Sequence, residues 1–282
     1  MSSSSFPTQS TSPSPSSQYP GCLNLSIVQH NYLSSSKVFQ TRFSFCTSVE
    51  SCLHIVALQD IPLLKNCPPV FHNYKCFFPP ATDSYKPHVA TYVHKRLLRV
   101  VSILPLFFER GDLMAVNFHS PEGLFDTSQN LFPLYNAYSI PSGDHMSVFP
   151  LDLFPQLDFR TIVVWDLKIH HPTSDPTRFL SINDQFISFP YFNVASAQLF
   201  SLLNIPGVYT RFPFTSNHRP AVLDLSFANS ALLPYFSSWN PCLPPTGSDH
   251  IALSIVLSNP LLQSRPGDLT GGIRIEILSL LF

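Results

Sequence analysis

Apolar runs of strand length, separated by prolines, recur throughout residues 23–257, and they constrain this chain more than any other feature. The first, Leu23-Asn24-Leu25-Ser26-Ile27, alternates at period two and so predicts a half-buried strand running out through Val28, Gln29, His30 and Asn31. Residues 54–59 (HIVALQ) form an unbroken apolar run that ends in Asp60. Further strands are expected at 74–78, 89–93, 98–104, 114–119, 132–138, 161–166, 208–212, 221–227 and 251–257. Helices are fewer: Ser34 to Ser36 can cap one through Val38, Phe39 and Phe43, and the best remaining candidate is 194–203. With 28 prolines punctuating the loops, the pattern predicts an α/β chain of α+β type, two β-sheets packed face to face with helices outside.

Composition bounds the rest. At 282 residues, 44% hydrophobic and 13% aromatic, the chain can bury one sizeable core without splitting. Only 12% of residues are charged, and 16 Lys+Arg against 17 Asp+Glu leave a formal charge of −1, so nonspecific attraction to polyanions is modest. Cys22, Cys46, Cys52, Cys67, Cys76 and Cys242 form no CxxC pair and no disulfide framework, which predicts reduced thiols. Apolar stretches are broken by Pro105, Pro150 and Pro155, short of the roughly 18 residues of a membrane span. Residues 1–21, rich in Ser, Thr and Pro, are expected to be a disordered tail without a targeting signal. Residues 259–282 are expected to be a poorly ordered C-terminal tail. One domain over 22–258 in an intracellular protein, nuclear or cytoplasmic, is the resulting expectation.

Chemistry-bearing side chains stand where the strands end. In order they are Asn31, Asp60, Tyr138, Asp166, Asp224, and Asp249-His250, the last pair following a Gly247-Ser248 turn into a buried run. On the alternation of its strand, Asp224 faces away from Leu223, Leu225 and Phe227. His170-His171-Pro172 looks like a metal pair but sits in the loop after WDLK, the other histidines are scattered without ligand spacing, and NPCLPPT at 240–246 reads as a stiff approach to Ser248. No GxxxxGK phosphate loop occurs.

This order of residues resembles the endonuclease/exonuclease/phosphatase superfamily, within it the endonuclease domain of fungal LINE-type (non-LTR) retrotransposons. The resemblance rests on IVQHN at 27–31, IVALQD at 55–60, HSPEGLF and YNAYSIPSGD within 119–144, WDLKIHHP at 165–172, GVYTRF and VLDLSFA within 207–228, and GSDHIAL at 247–253. It implies a four-layered sandwich that hydrolyses DNA phosphodiesters with Mg²⁺ (or Mn²⁺). On it, Asn31, Asp60 and Asp249 fall at metal-binding positions and Tyr138 at a phosphate contact. Asp166 falls at the base for the attacking water, and His250 at the imidazole that stabilises the transition state. Asp224 and Asp249 match acids that orient the histidine or support the metal, while Lys168, Thr210 and Ser248 fall on the substrate side. Mg²⁺ takes oxygen ligands in near-octahedral geometry, and a buried imidazolium balances charge developing on phosphate, which is why these residue types recur.

Three departures fall on the chemistry. The family has glutamate at position 60, glycine at 165 and asparagine at 168. Asp60 is one methylene short, a retreat of about 1.5 Å, and misplacement on that scale can cost about a hundredfold in rate. The Trp165 indole must find a niche or crowd the neighbouring strand. Lys168, two residues beyond Asp166, is expected to share its face, pair with it and lower its pKa, making it a poorer base. Two readings follow: a weakened Mg²⁺-dependent DNA-nicking enzyme, or a relic that keeps the fold and at most binds nucleic acid. The tail after residue 259 carries no part of the family's next domain, so a separated copy of a retrotransposon endonuclease is expected.

Overall fold

The computed structural model describes residues 23–32, 55–99, 101–119, 130–142, 145–146, 150–215, 218–242 and 248–259. In chain order these form β1 (Leu23–Asn31), β2 (Ile55–Gln59), β3 (Tyr74–Phe77), β4 (Val89–His94), β5 (Ser102–Phe107), β6 (Leu113–His119), β7 (Asn130–Tyr138), β8 (Pro141–Ser142), β9 (His145–Met146), β10 (Ile162–Asp166), α1 (Ile182–Ala197), β11 (Phe200–Leu202), β12 (Asp224–Asn229), β13 (Phe236–Cys242) and β14 (Ala252–Asn259). Two six-stranded mixed sheets result, ordered β13-β14-β1-β2-β4-β3 and β11-β12-β10-β7-β6-β5, with β8 and β9 as a small hairpin. The expected α/β sandwich is the observed one.

Both sheets use one pairing plan. Each has a central parallel pair, β1 with β2 and β7 with β10. Each pair is flanked by antiparallel neighbours, β14 and β4 in the first sheet and β12 and β6 in the second. A strand antiparallel to a parallel pair starts where that pair ends, so Asn31, Asp60, Tyr138 and Asp166 gather at the same sheet ends as Asp224 and His250. Ligands of parallel sheets bind at the strands' carboxyl ends for this reason.

Packing explains why the inner strands read as continuous apolar runs: β2 is buried at every residue, as a strand covered on both faces must be. Ile27, Ile55, Ala57, Val89 and Ile255 from the first sheet meet Met114, Val116, Leu134, Ile162 and Val164 from the second in the core between the sheets. Each fully buried branched side chain there contributes about 1.5–3 kcal/mol. On the outer face of the second sheet, Tyr191, Phe192 and Ala195 of α1 close over Trp165, Leu225 and Phe227. On that of the first, Ile61, Leu63 and Phe71 cover Val28, Val56 and Leu58. Polar side chains cross the core beneath the sheet ends: Gln59 Nε2 donates to Asn136 Oδ1 at 2.7 Å, and Ser226 Oγ donates to Gln29 Oε1 at 3.0 Å. Asn136 Nδ2 in turn donates to the Leu58 and Ala90 carbonyls.

Several expectations are corrected. The run at 98–104 opens with a 3-10 turn at Leu97–Arg99, and the strand starts at Ser102. Residues 208–212 make no strand, only bridges from Arg211 to Ala221 and His250. The helix expected at 194–203 lies earlier, at Ile182–Ala197, its signal masked by the internal Pro190, and the following Phe200–Leu202 is an edge strand. The polar strand Phe236–Cys242 gave no periodic signal. The helix expected over 34–43, the N-terminal tail, residues 260–282 of the C-terminal one, and Cys22, Cys46 and Cys52 lie outside the described residues, while Asn259, expected in the tail, ends β14; Cys67, Cys76 and Cys242 are free thiols. Among the described residues no helix is long and apolar enough to cross a membrane.

Candidate active site

Asn31 from the first sheet and Asp166 from the second meet at their strand ends, Asn31 Nδ2 donating to Asp166 Oδ2 at 2.5 Å. Asp166 pairs in register with both Tyr138 and Asp224, which brings three of the expected site residues to one level of the second sheet. His250 arrives from the first sheet, just ahead of β14, and its Nδ1 lies 2.8 Å from Asp224 Oδ2. Asp166, Asp224 and His250 thus present ligand atoms within 4.8 Å of one another, and all three are buried. Asp60 and Asp249 lie outside that tight set but touch its rim. Asp249 Oδ1 is 3.8 Å from His250 Nε2 while its Oδ2 accepts from Arg211 Nε at 2.6 Å, and Asp60 accepts the Tyr138 hydroxyl proton in a hydrogen bond.

Two of the remaining expected residues hold backbone. Thr210 Oγ1 accepts the N–H groups of Leu223 and Asp224, both at 3.0 Å, and so fixes the start of the strand that carries Asp224. Ser248 Oγ donates to the Asn31 carbonyl at 2.9 Å and accepts the His250 N–H at 3.0 Å, tying the two strand ends together. The hydrogen bonds of both hydroxyls give them a positioning role.

Lys168 reaches Asp166 by a different route from the one its spacing suggests. β10 ends at Asp166, and Lys168 adopts φ +56, a left-handed conformation in which asparagine is far better tolerated than lysine. Its Nζ nonetheless lies 3.8 Å from Asp166 Oδ2, donates to Tyr138 Oη at 2.8 Å and sits 4.3 Å from the Tyr138 ring centroid. Asp60 is also left-handed, at φ +45, so both departures at these positions occupy backbone that costs about 1 kcal/mol or more in a non-glycine residue.

Electrostatics correct the expectation for Asp166. Burial pushes its carboxyl up to about 6; His250, Lys168 and the Asn31 amide pull it down, Asp224 pushes it up, and burial outweighs the lysine. The Asp166 carboxyl therefore holds its proton more tightly than its ion pair alone would allow, and it is still largely ionised at pH 7. For His250, burial opposes the charged form, yet the Asp224 carboxylate, with Asp166 and Asp249, raises the imidazole to about 9. It is a buried imidazolium at neutral pH. Burial, then the Asp60 and Asp166 charges, push the Tyr138 phenol up, keeping it a protonated donor.

Trp165 does not crowd Asp166. Strand alternation turns its indole to the opposite face, where Nε1 donates to Ser139 Oγ at 3.0 Å and the ring meets Tyr191 edge-on at 5.3 Å, beneath α1. His171 is equally structural: it stacks on Phe192 with centroids 3.6 Å apart, and burial lowers it to about 4. Two residues at the site carry no sequence signal, Arg211 against Asp249 and His88, whose ring stacks on Tyr138 at 5.7 Å.

The donor set suits a hard cation. Asp166 Oδ1, Asp224 Oδ1 and Asp249 Oδ1 are buried and make no hydrogen bond, and buried carboxylate oxygens without partners are the ligands that Mg²⁺-type ions take. The arrangement thus joins a buried carboxyl raised to about 6, a buried imidazolium, an ammonium and carboxylate oxygens free for a cation.

At the level of sequence, no protein-family model and no curated protein matches the chain. Solved structures do match its architecture. The endonuclease domain of TRAS1, a telomere-specific non-LTR retrotransposon, superposes with a TM-score of 0.61 at 13% identity, covering 84% of this chain and 99% of that one. The chain has the endonuclease/exonuclease/phosphatase fold. The AP endonuclease LMAP from Leishmania major shares this fold, with a TM-score of 0.64 and 14% identity over 84% of this chain and 88% of its own. So does the catalytic domain of Xenopus laevis APE2, with a TM-score of 0.59 and 14% identity over 83% and 92%.

Proposed function

We propose that the chain is a divalent-metal-dependent hydrolase that nicks DNA at a phosphodiester, slowed by its substitutions at positions 60 and 168. The observation that carries this reading is the pairing across the two sheets, Asn31 with Asp166 and His250 with Asp224, in a cluster with unbonded carboxylate oxygens. Asn31, Asp60 and Asp249 would hold the metal, Mg²⁺ or Mn²⁺, with Asp166 beside them. Bound there, the metal supplies Lewis-acid polarisation of the phosphoryl oxygen. Asp166, oriented by the Asn31 amide, takes the proton of the attacking water. His250, held charged by Asp224, donates a hydrogen bond to the non-bridging oxygen on which negative charge grows, while the bond from phosphorus to the leaving sugar oxygen breaks and that oxygen takes a proton from solvent. The Tyr138 hydroxyl and the Lys168 ammonium bind the phosphate from the partly exposed side.

Plasmid relaxation in Mg²⁺, with EDTA as control, tests the reading. The informative comparison is the chain against Asp60→Glu with Lys168→Asn; Trp165 is left in place because its indole belongs to the packing under α1. The chain should nick slowly, the double variant faster, and EDTA or Asp166→Asn should stop both. No relaxation by either protein would overturn hydrolysis and leave the fold-retaining, nucleic-acid-binding reading, which the Lys168–Asp166 ion pair favours.

A further inference from the structure

Lys168 brings a positive charge to within 3.8 Å of the buried Asp166 carboxylate. Asp166 is fully buried, whereas the Lys168 side chain, 3.8 Å away, keeps a fifth of its surface exposed and so reaches both the acid and solvent. An ammonium carries three donors; Lys168 makes one hydrogen bond among the described residues, to Tyr138 Oη, and its contact with Asp166 is longer than a hydrogen bond. Its position is held by the Tyr138 ring beneath it, itself stacked on His88 and bonded to Asp60. The cluster contains four carboxyl groups, Asp60, Asp166, Asp224 and Asp249, and three cationic groups, Lys168, Arg211 and His250. One negative charge is left over when all are ionised. With a neutral side chain at position 168 two would be left, the charge that a divalent ion brings. Lysine therefore supplies half of that charge covalently.

We infer that the Lys168 ammonium is a resident cation of this site, which holds a nucleic-acid phosphate without any divalent ion and at the same time weakens divalent-ion binding at Asp166. The inference rests on the reading of the site as a phosphodiester site, and it makes phosphate binding and metal binding opponents. Lysine binds phosphate as a point charge and needs no fixed geometry to do so, while its charge beside Asp166 repels a second cation.

Two measurements test it, neither of which reads turnover. Anisotropy of a short fluorescein-labelled DNA duplex in EDTA should show the chain binding, Lys168→Asn weaker by roughly ten-fold, and Lys168→Arg close to the parent. Lys75→Asn, on the edge strand β3, controls for plain loss of charge and should lose far less. Electron paramagnetic resonance of Mn²⁺ with the DNA-free protein should show Lys168→Asn binding the ion roughly ten-fold more tightly than the parent. Asparagine suits the left-handed backbone at this position, so the variant is expected to fold, and the chain's urea midpoint checks that it does. Equal DNA affinity of parent and Lys168→Asn in EDTA, or unchanged Mn²⁺ affinity, would overturn the resident cation. A chain that never nicks DNA yet shows both effects would overturn only the hydrolase reading.

Discussion

The buried His250–Asp224 pair makes a quantitative claim about stability and pH. His250 has an ordinary value of 6.5 and is raised to about 9 in the folded chain, so the native state binds its proton more tightly than the unfolded state. That stability is complete below pH 6.5 and is lost as pH rises through 9. The gap of roughly 2.5 pH units, at about 1.4 kcal/mol each, sets the loss on the order of 3 kcal/mol. Urea unfolding followed by tryptophan fluorescence reads it directly, because Trp165 and Trp239 are both buried. The unfolding free energy from those curves should fall between about pH 6.5 and pH 9.5 by that amount, and the midpoint with it. Cysteine contributes in the same direction at the alkaline end, since burial pushes the Cys76 thiol up to about 12, so the measurement is taken against Asp224→Asn. Asp224 is the leading charge that raises His250. Its asparagine variant should be less stable at pH 6.5 by about 3–5 kcal/mol, the usual cost of stranding one partner of a buried pair, and its further loss at high pH should shrink to the cysteine contribution. Parallel curves for the two proteins would refute the assignment of the proton to this pair.

Asp166→Asn should stabilise the chain at pH 7.5 by on the order of 1–3 kcal/mol, because a carboxyl raised to about 6 is uncomfortable when ionised; the same variant should cut nicking by about 10²–10⁴-fold, and a urea curve with a relaxation assay checks both. Trp165→Gly should destabilise by about 4 kcal/mol, removing the indole from beneath α1 together with its bond to Ser139, as a denaturation midpoint will report. Gly111→Ala places a Cβ 1.9 Å from the Lys86 carbonyl oxygen. It should lower Tm and cost roughly 1–3 kcal/mol, since the Lys86 backbone must move.

The inner strands were legible because burial on both faces writes itself into sequence as an unbroken apolar run, and a polar residue directly after such a run, as at Asn31, Asp60 and Asp166, stands out. Strands made without that burial were not: Phe200–Leu202 is three residues on a sheet edge, and Phe236–Cys242 carries Ser, Asn and Pro. Within the site, residue types were readable and conformations were not. Nothing in the letters WDLK announces that Lys168 turns left-handed, and a strand ending at Asp166 changes how it reaches the acid. The Asp166 pKa shows the same limit, since the ion pair is visible in the sequence and the burial that outweighs it is not. Adjacency in sequence suggests that Trp165 crowds Asp166, and the alternation of one strand decides otherwise. Arg211 reaches Asp249 across 38 residues, a distance over which no spacing rule operates.

Gln59–Asn136 and Ser226–Gln29 pin one sheet to the other directly below groups contributed by both. The spacing between Asn31 and Asp166 is thus inherited from the seam between the layers and from no single loop. Warming that loosens this joint should dissolve the arrangement of the reactive groups well before either layer melts, so the upper temperature for chemistry would sit below that for unfolding.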